Sequence, residues 1–96
     1  MGGTTFMIEA SGETASKAFA SAVDNARYEC GHGGYTGTIA EKDTFVFINC
    51  PNDINPVTYA DKLIDEGDRR IDDKWGPAGC ISLGGNRYLF FGWASC

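Results

Sequence analysis

Apolar and polar residues alternate from Thr5 to Ala10, with Phe6 and Ile8 set against Thr5, Met7 and Glu9, and this predicts a first strand. Ser11 is then read as a helix N-cap, with Glu13 in the first turn, near the positive end of the helix dipole. The period changes at this point. Ala15, Ala18, Phe19, Ala22, Val23, Ala26 and Cys30 recur at three- and four-residue spacing and form one alanine-rich apolar helix face, suited to close packing on a sheet. Gly31 is expected to end that helix in the left-handed conformation. Tyr35 to Ala40 alternates again and predicts a strand. Glu41-Lys42-Asp43 reads as a polar turn. Phe45 to Asn49 is apolar on both sides, which predicts a central strand paired in a hairpin with the preceding one.

Asn55-Pro56 is a strong helix start, a capping residue followed by a proline suited to the first helical position. The second helix is expected to run to about Asp73. Its apolar face would be Ala60, Leu63, Ile64, Gly67, Ile71 and Trp75, and Gly76-Pro77 would stop it. Cys80–Leu83 and Arg87–Ala94 form a last hairpin around Gly84-Gly85-Asn86. The order β-α-β-β-α-β-β predicts an α+β fold. It would be an antiparallel sheet of about five strands with two helices on one face, in a single domain over residues 1–96.

Composition narrows the function. The chain has 96 residues, 8 Lys+Arg against 13 Asp+Glu and a formal net charge of −5, so it lacks the clustered cations that direct nucleic-acid binding needs. No run approaches the roughly 18 apolar residues of a membrane span. The opening Met1-Gly2-Gly3-Thr4-Thr5 does not read as a secretory signal, so the expected location is the cytoplasm of a host cell.

Cysteines stand at 30, 50, 80 and 96, and His32 follows Cys30 closely. Structural zinc sites normally present two tight ligand pairs, which this spacing lacks, so no metal and no cofactor is expected. Cys30, Cys50 and Cys80 read as small buried apolar groups. Catalytic signatures are missing too: no nucleophile elbow, phosphate loop or HExxH motif is present. A Cys30/His32 dyad on a glycine loop would hold its geometry poorly. The expected role is non-enzymatic.

The sharpest pattern is Asp61, Asp65, Asp68 and Asp72. On one continuous helix, at about 100° per residue, these fall within an arc of roughly 60°. Glu66 and Asp73 would widen the patch. Like charges so spaced repel by about 0.2–0.5 kcal/mol per close pair, which suggests a stripe built to meet a basic surface. The plainer reading is a solvated helix face, the usual fate of charge runs. A second constellation joins the glycine loop to the aromatic strand: His32, Tyr35, Thr36, Lys42 and Tyr88 would bind a small ligand such as a nucleotide signal, at the interface of a homodimer. Against it, the loop follows a helix end, where the dipole is negative, whereas phosphate loops precede a helix. The crowded Tyr88, Phe90, Phe91 and Trp93 fit a central strand equally well, or an assembly contact in a virion.

At Tyr35-Thr-Gly-Thr-Ile-Ala-Glu-Lys42, Lys74-Trp-Gly-Pro-Ala78 and Tyr88-Leu-Phe-Phe-Gly-Trp-Ala-Ser95 the chain resembles a group of small bacteriophage and prophage proteins. These segments make up about a fifth of the chain and bring no site residues with them. The resemblance implies a phage accessory protein of the anti-defence kind, similar to anti-CRISPR inhibitors. Its expected partner is a bacterial defence protein or nuclease complex, met on a basic nucleic-acid groove.

Overall fold

The computed structural model describes residues 3–30, 39, 42, 44–72 and 76–95. The elements run β1 (Gly3–Ser11), α1 (Ala15–Cys30), β2 (Phe45–Phe47), α2 (Pro56–Glu66), β3 (Ala78–Gly84) and β4 (Arg87–Ser95). The fold is α+β, as the element order implied. Among the described residues the sheet has four strands, in the order β1-β4-β3-β2. It is mixed, not wholly antiparallel. β1 and β3 flank β4 antiparallel, while β2 pairs parallel with β3. α2 is the reason: a helical crossover between β2 and β3 returns the chain to the same end of the sheet, which makes the two strands parallel.

The helices do not share one face of the sheet. Even-numbered sheet residues Phe6, Ile8, Ala78, Cys80 and Phe90 pack with Ala15, Ala18, Phe19, Ala22, Val23 and Ala26 of α1. Odd-numbered Met7, Ile81, Leu89 and Phe91 pack with Ala60, Leu63 and Ile64 of α2. Adjacent strand residues point to opposite faces, so α1 and α2 cover opposite sides. A central strand apolar on both sides, as β4 is, requires this arrangement. Phe90 and Phe91, neighbours in sequence, are both fully buried. The rings of Phe19, Phe45 and Phe90 meet at centroid distances of 5.2–5.6 Å and fill the α1 side.

Several local expectations change. The cap of α1 is Thr14, not Ser11: its Oγ1 accepts the Lys17 N–H at 3.2 Å. Among the described residues β2 lies at the sheet edge, not its centre. The strand expected over 35–40, and so its hairpin, lies outside the described residues except at Ile39. That buried residue stands in a tight turn, its carbonyl accepting the Lys42 N–H at 2.9 Å. Gly31 also lies outside them.

The start of α2 is as expected. Asn55 Oδ1 accepts the N–H of Val57 at 2.9 Å and that of Thr58 at 3.5 Å, and Pro56 opens the helix. Its end is not. α2 stops at Glu66, where Gly67 adopts φ +68° and donates its N–H back toward Ile64. The hairpin of β3 and β4 turns at Gly85-Asn86, both at positive φ, the pattern of a type I′ turn.

Candidate functional site

Ending α2 at Gly67 breaks the expected stripe of aspartates into two parts. Asp61 and Asp65 remain on the helix, one turn apart and exposed, with Glu66 beside them. Asp68 and Asp72 lie beyond the cap, so the arc that places four carboxylates on one helix does not apply to them. Asp72 is exposed, and its Oδ1 lies 3.5 Å from where a Cβ on Gly67 would stand. Its carboxylate therefore sits against the C-terminal turn of α2, where the helix dipole is itself negative. Asp73 lies outside the described residues.

Asp68 is held by its own molecule. Arg70 grips it as a fork, Nε to Oδ1 and Nη2 to Oδ2, both at 2.9 Å. The Arg70 backbone N–H donates to the same Oδ1 at 2.9 Å and closes an Asx turn. The Arg70 side-chain hydrogen bonds hold the Asp68 carboxyl down at about 2, against a smaller opposing push from burial, and the arginine is raised in return. Asp68 is thus neutralised internally. Glu66 faces Lys62 across 4.0 Å with both side chains exposed, a contact worth little. Among the described residues no lysine or arginine nitrogen lies within 4.0 Å of Asp61, Asp65 or Asp72. The acidic surface that remains is Asp61, Asp65 and Asp72, with Glu66 loosely paired.

The second constellation is described only in part. His32, Tyr35 and Thr36 lie outside the described residues. Lys42 is buried, and its Nζ donates to the Gly76 carbonyl at 2.9 Å, tying its segment to the entry of β3. Sequence reasoning placed this lysine in a polar turn and missed its burial. Tyr88 is half-buried on the α1 side, its ring 6.5 Å from that of Phe90. The two have no described contact that brings them together.

Cys80 is fully buried, and burial pushes its thiol up to about 11, so it stays protonated at neutral pH. The Cys50 thiol lies 3.4 Å from the carbonyl oxygens of Pro51 and Ile54. The Cys30 side chain and Cys96 are outside the described set. Among the described residues no group of three or more His, Cys, Asp or Glu side chains is placed to hold a metal ion. No helix there is long and apolar enough to cross a membrane.

Comparison with protein-family models, with curated proteins and with solved structures gave no match, so the site is read from its own geometry.

Proposed function

We propose that this protein is a non-enzymatic anti-defence inhibitor. In this reading the exposed carboxylates of α2 and its C-terminal turn dock on a basic, nucleic-acid-binding surface of a bacterial defence protein. One observation carries it: Asp61, Asp65 and Asp72 are exposed with no described internal cation, on a chain of net charge −5. Like charges left unpaired cost the monomer free energy, which a cationic partner would recover. The resemblance to small phage proteins supplies the context. Asp68, already gripped by Arg70, contributes least, and Glu66 joins once Lys62 yields.

The test uses purified CRISPR nuclease complexes of several types, with target-DNA cleavage as the readout. The chain is expected to inhibit at least one of them. Asp61→Lys with Asp65→Lys should weaken inhibition by at least tenfold while the circular dichroism spectrum is kept. Potency should fall as salt rises from about 50 to about 300 mM, since exposed charges are screened over that range. Inhibition untouched by the double reversal and by salt would overturn this reading, as would no inhibition of any complex. The ligand-binding alternative gains no comparable support, because Lys42 is already engaged with Gly76.

A further inference from the structure

Among the described residues β1 is an edge strand, with no strand paired on its outer side. Its register with β4 is unbroken from Gly3↔Ser95 to Ser11↔Arg87. The Gly12 N–H donates to the Asn86 carbonyl at 3.0 Å, which continues that register by one step. In an antiparallel pair the residues alternate between those bonded to the neighbour and those facing away. Thr4, Phe6, Ile8 and Ala10 therefore spend their backbone groups on β4. The N–H and C=O of Thr5, Met7 and Glu9 point outward, as do those of Gly3 and Ser11. Exposure agrees: no β1 side chain from Thr4 to Ser11 is fully buried, although helices cover both faces of the sheet.

Natural edges are usually guarded by lysine, proline, bulges or inward charges. β1 has none of these. Its one charge is Glu9, whose exposed carboxylate accepts from Arg87.

The strand is also self-complementary. An antiparallel pair of two β1 strands about a two-fold axis at Met7 overlaps all of Gly3–Ser11. Met7 then faces its own copy, Phe6 faces Ile8, Thr5 faces Glu9, Thr4 faces Ala10 and Gly3 faces Ser11. Each outward-pointing residue meets another outward-pointing one, so every bond of the ladder can form. Half-buried Phe6 and Ile8 meet across the axis on the α1 face, and Met7 meets its own copy on the α2 face. Each Glu9 carboxylate meets a threonine hydroxyl that can donate to it. The two Glu9 positions are about 13 Å apart along the strand at ~3.4 Å per residue, beyond the screening length at physiological salt.

We infer that β1 is a homodimerisation edge, and that a second copy of this chain extends the sheet across a two-fold axis at Met7. Sedimentation velocity over a wide concentration range should show the mass rise from 10.3 kDa to twice that value. Thr5 is exposed, so its substitutions test the register without touching the core. Thr5→Glu sets like charges opposite each other twice and should weaken the dimer roughly tenfold; Thr5→Lys sets opposite charges there and should tighten it several-fold. Amide exchange supplies a second readout. On raising the concentration, the amides of Thr5, Met7 and Glu9 should slow, while those of Phe6 and Ile8, already bonded to β4, should not change. A strict monomer at millimolar concentration would overturn the inference. So would a dimer indifferent to both Thr5 variants, or one that protects none of those amides.

Discussion

Asp68 illustrates how one residue can leave a charged surface without being buried. Its carboxylate keeps only 20% side-chain exposure, and Arg70 saturates both of its oxygens. A carboxyl depressed to about 2 stabilises the fold above the ordinary carboxylate range, and that contribution is lost as pH falls through the depressed value. Asp68→Asn can keep the turn, because its amide oxygen still accepts the Arg70 N–H, but it loses the charged fork. At pH 5 the variant should be less stable by up to about 1 kcal/mol, the worth of a partly exposed pair. Urea midpoints measured from pH 5 downward should show the two proteins converging between about 4 and about 2. A constant gap over that range would mean that the fork is not the source of the difference. Lys42 makes the converse point. A charged residue in a polar triplet is ordinarily solvent-facing, yet the fold buries this one against a backbone carbonyl, a long-range contact that no local pattern encodes.

Close approach between elements decides Gly79 of β3. A Cβ there would stand 2.7 Å from Phe91 Cζ, 2.9 Å from its Cε2 and 3.0 Å from Ile71 Cγ2. Phe91 and Ile71 are themselves buried, so neither can swing clear. Gly79→Ala should cost about 1–3 kcal/mol, the range for overpacking, while Ser82→Ala on the exposed part of the same strand should cost little. Equal urea midpoints for the two variants would show that the ring and the isoleucine do yield. The sequence declared α1, the start of α2 and the last hairpin, because each rests on short-range signals: an apolar period, a cap, a two-residue turn. It misdirects at the end of α2, where Gly67 fits the apolar period yet caps the helix at positive φ. Ile71 strengthened the illusion by returning to the core from a non-helical turn, its N–H donating to the Asp68 carbonyl at 3.0 Å. The four-aspartate arc rested on that helix length and shrank with it. That the helices lie on opposite faces is legible in β4 itself: Leu89 and Phe91 alternate with Tyr88 and Phe90, so both of its sides require cover.

The proposed docking surface and the proposed dimer edge occupy different parts of the molecule, and electrostatics separates them. A two-fold axis perpendicular to the extended sheet leaves the two α2 helices on a common face and the two α1 helices on the other. Both acidic surfaces of a dimer would then be presented to the same side. Each chain carries −5, so association of two copies works against a long-range repulsion that salt screens. Dimerisation should therefore strengthen as salt rises from about 50 to about 500 mM, whereas docking on a cationic partner should weaken over the same range. The double reversal Asp61→Lys with Asp65→Lys adds two charges at each position and takes the formal charge from −5 to −1. It should weaken inhibition by at least tenfold and flatten the salt dependence of the dimer without dissolving it. Thr5→Glu should do the reverse, loosening the dimer while the inhibition of a single chain persists at low concentration. Sedimentation and inhibition assays on the same preparations decide between the two surfaces. Inhibition that strengthened with salt would remove the acidic groups of α2 as the docking surface, and a dimer that weakened with salt would show that repulsion between the two chains does not govern it.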